Sequence, residues 1–228
     1  MILDVLPELQ HVRMVLASAS PRRKEILEAL DVPFVTVTSS FEENLDAKRF
    51  PSASEYSQQT ALGKAVEVAG REYSEEGPDV VVGADTVVES PTGQVLEKPK
   101  DVEQAKKMLM MLSGKTHRVH TGMAIVAPKL VDPATGTAPY VTTFAETTVC
   151  HMAVLSESLI QAYVNTGDPM DKAGAYGIQS KAGPFVTGIQ GCYYNVVGFP
   201  LHRFTMELRK MVEETELGEQ LKERMQKT

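Results

Sequence analysis

Between Met14 and Leu27 the chain passes from four apolar residues, Met14-Val15-Leu16-Ala17, into Ser18-Ala19-Ser20-Pro21-Arg22-Arg23-Lys24-Glu25-Ile26-Leu27. No other feature restricts the fold as much. The apolar run reads as a buried strand. Ser20 is a suitable helix N-cap, and Pro21 suits the first helical position. Ile26, Leu27 and Leu30 then give the helix an apolar face. Arg22 and Arg23 therefore fall in the first helical turn, where the helix dipole disfavours cations and backbone N–H groups point outward unpaired. Two arginines added to such an end suit a polyanion such as a di- or triphosphate. The alternative is a solvated pair of surface arginines.

Strand and helix patterns alternate through the rest of the chain. Phe34 to Thr38 reads as a strand. Ser52 to Tyr73 reads as a helix opened by a capping box, Ser52-x-x-Glu55. Asp79 to Val88 is a nearly continuous apolar strand, and Pro91-Thr92-Gly93 turns the chain toward a short strand at Val95. Asp101 caps a helix that carries Val102, Ala105, Met108, Leu109 and Leu112 on one face, ended by Gly114. His117 to Val126 and Tyr140 to Leu155 read as paired strands joined by a loop from Pro128 to Pro139. Ser156 to Asn165 is a helix, Phe185 to Ile189 a short strand and Leu201 to Val212 a closing helix. The pattern predicts one α/β domain over residues 1–212, with a mixed twisted sheet flanked by helices and two lobes around a cleft. Residues 213–228 are highly charged and read as a solvated extension.

Composition narrows the functional classes. With 228 residues, 43% hydrophobic and 23% charged, the chain reads as a soluble globular protein. A formal net charge of -7 argues against a surface that coats nucleic acid, which needs a basic face. It leaves room for a nucleotide in a local basic pocket. No run approaches the ~20 apolar residues of a membrane span. Cys150 and Cys192 form no CxxC pair, so neither a disulfide scaffold nor a zinc cluster is expected, and a cytoplasmic location is.

Asp85 interrupts the apolar strand, in Val80-Val81-Val82-Gly83-Ala84-Asp85-Thr86-Val87-Val88. A carboxylate there is costly unless paired, solvated by a cleft or bound to a cation. Gly83 and Ala84 leave room for something to approach. Asp85 is a candidate general base or Mg²⁺ ligand; the alternative is a strand-end Asp bonded to a local turn. Lys98, in Leu96-Glu97-Lys98-Pro99, would face the same phosphates if its hairpin brackets a cleft, or is a solvated loop lysine. Lys64 is either a second phosphate ligand or a snorkelling helix lysine. Glu42-Glu43 offers an extra metal-binding carboxylate, for which Glu42 is the candidate, or is an ordinary acidic loop pair. In Asp171-Lys172-Ala173-Gly174-Ala175-Tyr176-Gly177-Ile178-Gln179 the small residues mark a shaped loop. Gln179 has the donor and acceptor to meet a pyrimidine edge, or is an exposed amide. There is no P-loop, no dinucleotide fingerprint, no H-E-x-x-H and no nucleophile elbow.

Six ordered segments carry a resemblance: Ser18-Ala19-Ser20-Pro21-Arg22-Arg23, Gly83-Ala84-Asp85-Thr86, Glu97-Lys98-Pro99, Leu112-Ser113-Gly114 with His117, Asp171 to Gln179, and Asn195-Val196-Val197-Gly198-Phe199-Pro200-Leu201. Over roughly Val15 to Leu208 the chain resembles the Maf family of nucleoside triphosphate pyrophosphatases. It is also similar to the Maf-like domain of acetylserotonin methyltransferase-like proteins, although no methyltransferase role is expected of these residues. The resemblance implies a fold related to the inosine triphosphate pyrophosphatases, often homodimeric. It implies hydrolysis of a nucleoside triphosphate to monophosphate and pyrophosphate with a divalent cation, Mg²⁺ or Mn²⁺. Arg22, Thr86 and Gln179 match the subgroup that cleaves dTTP and UTP. Asp85 matches the family's proposed base, and Arg23, Lys64 and Lys98 its phosphate-binding residues. Ser18 and Ser20 join the substrate-binding set, and Asp85 with Glu42 the metal set. A sensor that binds a triphosphate without cleaving it is the competing class, and Asp85 argues against it.

Overall fold

In the computed structural model, which describes residues 2–227, the apolar run at Met14 is the innermost of three parallel strands. Strand β1 (Met14–Ala17) lies between β2 (Phe34–Thr36) and β3 (Val80–Glu89) and is parallel to both. The remaining strands, β4 (Val95–Leu96), β5 (Thr116–Ala127), β6 (Tyr140–Met152) and β7 (Val186–Gln190), are antiparallel to their neighbours. The seven-stranded sheet runs β2-β1-β3-β5-β6-β7, with β4 pairing β3 off that path. It is a mixed α/β sheet, as the alternating patterns predict.

The helices in chain order are α1 (Leu6–Leu9), α2 (Pro21–Glu28), α3 (Ala53–Arg71), α4 (Val102–Leu112), α5 (Glu157–Val164), α6 (Tyr193–Val197), α7 (Leu201–Glu214) and α8 (Leu217–Lys227). Two of the expected caps form, with the Ser52 side chain accepting from the Glu55 N–H and Asp101 from the Gln104 N–H, and Ser156 likewise caps α5 by accepting from the Leu159 N–H. Gly114 follows α4 in the left-handed region, at φ +66°. Ser20 precedes α2 as expected, but its side chain makes no capping bond.

Residues alternate across β1 and β3 with period two. Met14, Leu16, Val80, Val82 and Ala84 face a core shared with α2, α7 and α8, while Val15, Ala17 and Val81 face a second core under α3. A third core forms around α4 and α5, and it takes Val88 and Val119 from the sheet. Along one sheet face the first core ends at Ala84 and Met123 and the third begins at Val88 and Val119. The register pair Thr86 and Thr121 lies between them. The two lobes are therefore divided by a polar step in otherwise apolar strands.

The C-terminal segment departs from the expected solvated extension. Leu217 and Leu221 of α8 are buried in the first core, and α8 packs on α1 and α7. Arg224 of α8 and Arg13 grip the buried Asp79 carboxylate from two sides, at 2.6–3.0 Å. Burial opposes ionisation of Asp79, but the hydrogen bonds from Arg224 and Arg13 outweigh it and lower its pKa to about 2. No helix among the described residues is long and apolar enough to cross a membrane.

Candidate active site

The cleft is a consequence of the sheet order. β1 pairs with β3 only up to Ala17 opposite Gly83, and β4 pairs with the same edge of β3 only from Val88. From Ala84 to Val87 that edge has no strand partner, and Asp85 and Thr86 lie in the gap. The chain leaving β1 turns through Ser18-Ala19-Ser20 into α2, so the helix N-terminus closes one side. Residues 171–179 and Lys98 close the other. The cleft holds about 290 Å³, near the lower limit for small-molecule sites.

Asp85 points to α3, where its Oδ1 accepts from Lys64 Nζ at 2.8 Å. Both residues are 8% exposed. Glycines let the helix come this close. A Cβ on Gly83 would lie 2.2 Å from the Ala61 carbonyl oxygen, and one on Gly122 2.2 Å from the Ser57 carbonyl carbon. What approaches the small residues beside Asp85 is thus the backbone of α3, which delivers Lys64. Glu43 Oε2 lies 2.9 Å from the same ammonium, so one cation stands between two carboxylates. Asp85 Oδ2 has no partner among the described residues. On the same helix, the buried Tyr56 hydroxyl donates to Glu97, beside Lys98. Burial and the nearby Glu97 and Asp85 charges raise the pKa of Tyr56, which keeps it a donor.

Arg23 is fixed by three bonds: Nε to the Gly198 carbonyl (2.9 Å), Nη1 to Ser18 Oγ (3.2 Å) and Nη2 to Thr86 Oγ1 (3.0 Å). Burial lowers its pKa, opposed by Asp85, but a guanidinium stays charged at any working pH. The proton order behind it is determined. Thr121 Oγ1 donates its only proton to the Asn195 carbonyl (2.9 Å). Thr86 must therefore donate to Thr121 (3.0 Å) and accept from Arg23. The fully buried Asn195 side chain donates to the Val119 carbonyl and to Thr148 Oγ1. The polar step between the lobes is thus a chain of hydrogen bonds that seats Arg23.

Arg22, one residue earlier, turns to the other lobe. Its Nη1 and Nη2 donate to Asp171 Oδ2 (2.7 Å) and the Asp171 carbonyl (3.1 Å). Gln179 donates to Glu25 of α2 across a long 3.4 Å. Ser20 lines the cleft, its side chain without a hydrogen bond among the described residues. Lys98 is exposed at the rim, without a hydrogen bond among the described residues. An anion-binding end built on free N–H groups, two arginines and a buried Asp–Lys pair is equipped for a phosphate chain.

Residues 13–211 match the family model described as Maf-like protein. The chain belongs to the Maf-like family. It is 43% identical over 197 residues to a protein of Alkaliphilus oremlandii named dTTP/UTP pyrophosphatase, covering 86% of this chain and 95% of that one. A Bacillus cytotoxicus protein of the same name is 44% identical over 198 residues, covering 87% and 95%. A human protein named probable bifunctional dTTP/UTP pyrophosphatase/methyltransferase protein is 47% identical over 209 residues. That match takes in 91% of this chain, and the chain spans only 33% of the human protein's length. The structure also overlaps that of the Staphylococcus aureus Ham1 protein over 75% of this chain and 89% of that one, at 14% identity and a TM-score of 0.42, too loosely to argue from.

Of the residues singled out in this Maf-like sequence, the structure gathers Ser18, Ser20, Arg22, Arg23, Lys64, Asp85, Thr86, Lys98 and Gln179 around one cleft. Glu42 is the exception. It is exposed and bonded by Asn44. Phe41 seats its ring on Gly63 of α3, and Glu43, two residues on, meets Lys64. Thr86 bonds Arg23 and Thr121. Sequence reasoning missed Glu43 in favour of its neighbour. It also missed Thr121, Asn195 and the Gly198 carbonyl, whose roles depend on contacts between remote segments. The Asn195-Val196-Val197-Gly198 segment is the one sequence signal for the last two.

Proposed function

We propose that this Maf-like chain hydrolyses nucleoside triphosphates, dTTP and UTP first, to the monophosphate and pyrophosphate. The observation that carries the reading is the buried Asp85–Lys64 pair in a gap of the sheet, 2.8 Å apart, beside the pinned Arg23. The names of the 43–44% identical bacterial relatives support the substrate class. Asp85 Oδ2, without a partner among the described residues, orients or deprotonates the water that attacks the α-phosphorus. Lys64 holds Asp85 through Oδ1, so the attacking side of the carboxylate is set in advance. Arg23, Lys64 and Lys98 offset the charge that builds on the departing pyrophosphate, with the free N–H groups of α2 aimed at the same oxygens. No covalent intermediate is needed.

The donor set fits a divalent cation. Asp85 and Glu43 are hard oxygen ligands that already flank one positive charge, the Lys64 ammonium. No group of three or more His, Cys, Asp or Glu able to hold a metal occurs among the described residues. Two carboxylates completed by substrate phosphates suit Mg²⁺ or Mn²⁺. Such an ion, when bound, neutralises phosphate charge in the transition state.

Pyrophosphate release from dTTP, UTP and CTP tests the reading. Release with Mg²⁺, its loss in excess EDTA and its return with Mg²⁺ or Mn²⁺ are expected. Full activity in excess EDTA would overturn the cation. Tight nucleotide binding without any pyrophosphate would overturn hydrolysis and favour a sensor.

A further inference from the structure

Lys172 lines the cleft, yet it is only 7% exposed and has nothing left to offer a ligand. An ammonium has three donors. Those of Lys172 meet the Asp168 carbonyl (2.6 Å), Asp168 Oδ1 (3.3 Å) and Asp171 Oδ1 (2.7 Å). From these acceptors two branches run to Arg22 and Gln179, the two cleft residues that the sequence reading assigns to the pyrimidine base. Asp171 holds Arg22 with its other carboxylate oxygen and its carbonyl. Asp168 Oδ2 accepts from Ser180 Oγ and Tyr163, each at 2.7 Å, and Ser180 is joined in sequence to Gln179. The Lys172 stem lies against Gly177, where a Cβ would be 2.7 Å from Cδ and Cε. Two carboxylates balance one lysine and one arginine, so the cluster is neutral and self-contained.

We propose that Lys172 is the positioning residue for base selection, holding Arg22 through Asp171 and Gln179 through Asp168 and Ser180 at a fixed separation across the cleft. The inference rests on the pyrimidine-nucleotide reading above. A lysine that only stapled the loop would, when removed, weaken all nucleotides alike. One that sets the separation of two hydrogen-bonding groups changes the discrimination between bases, because uracil and cytosine differ in donors and acceptors along one edge.

The test uses Lys172→Met and Asp171→Asn, the second at an exposed carboxylate that keeps its shape, removes the ion pair with Arg22 and leaves only the bond to the Asp171 carbonyl intact. Two ratios are measured on the full chain: kcat/KM for UTP over CTP, and calorimetric affinity for UMP over CMP. Each variant should lower both ratios about tenfold, through loss on the uracil side, the scale of one misplaced hydrogen bond. Ratios within twofold of wild type, or equal losses on both bases, overturn the proposal, as does a wild type without base preference. If Lys172→Met fails to fold, Lys172→Arg, which keeps the charge but not the geometry of the three bonds, takes its place under the same two ratios. Monophosphate binding needs no turnover. A wild type that selects UMP but releases no pyrophosphate would overturn the hydrolase reading and leave the role of Lys172 intact.

Discussion

The two ends of the cleft are built from different materials. The phosphate end stands on α2, α3 and β3, and its ionic groups are buried: Lys64 and Asp85 are each 8% exposed, and Arg23 is tied to three acceptors on three segments. The end proposed to take the base stands largely on residues 168–180, a stretch with short 3₁₀ turns, and its outer members Asp171 and Gln179 are exposed. Side chains on packed helices and strands are held more closely than those on loops. On the proposed function, the chemistry common to all triphosphates lies on the rigid side, and the choice among bases on the side that can be rebuilt without disturbing a core.

Asp85→Asn strikes the rigid end hardest. Turnover should fall ~10²–10⁴-fold, and by the same factor for UTP, dTTP and CTP. Steady-state rates for the three nucleotides measure it, and a base-dependent loss would dissolve the division between the ends. Arg23→Lys keeps the charge but cannot reproduce three directed bonds. A drop of about 10–100-fold in kcat/KM, again without base preference, is expected.

Asp79→Asn lies outside both ends and tests whether stability and selectivity separate. Its native pKa of about 2 is below the unfolded value near 3.9. The stabilisation is therefore complete above pH ~4 and is lost as pH falls toward 2. It amounts to about 2 kcal/mol. Melts of wild type and variant should differ at pH 7 and converge near pH 2, while the UTP:CTP ratio stays unchanged. Gln179→Glu should have the smallest effect. It places a second carboxylate beside Glu25 and removes the donor for a uracil carbonyl. The UTP:CTP ratio in kcat/KM should fall about fivefold, the scale of one exposed hydrogen bond. A ratio that rises would reverse the assigned role of the amide.

Most of the phosphate end could be read from the chain because its signals are local. A strand-then-Ser-Pro-Arg-Arg junction specifies the start of α2 by capping chemistry and helix electrostatics, and a carboxylate within an apolar strand needs a partner. What escaped reading depends on where remote segments meet. Glu42 and Glu43 are equivalent in composition, and only the docking of Phe41 on Gly63 separates them. Thr121 looks like any strand threonine until the Asn195 carbonyl is found opposite it. Lys172 sits inside the Asp171–Gln179 segment, but its saturation by Asp168 and Asp171 depends on how that loop folds back on itself. The tail misled for another reason: its charge masks Leu217 and Leu221, four residues apart, which a search for helical spacing would have found.

The break in the sheet between β1 and β4 has a consequence for how this cleft can change. From Ala84 to Val87 the edge of β3 leaves without a strand partner the N–H and C=O groups that a neighbouring strand would have taken. These groups belong to the main chain, so replacing side chains leaves them in place. A survey of point mutants would miss them, and divergence can retune every side chain around the cleft while this strip of polar backbone persists for as long as the strand order does.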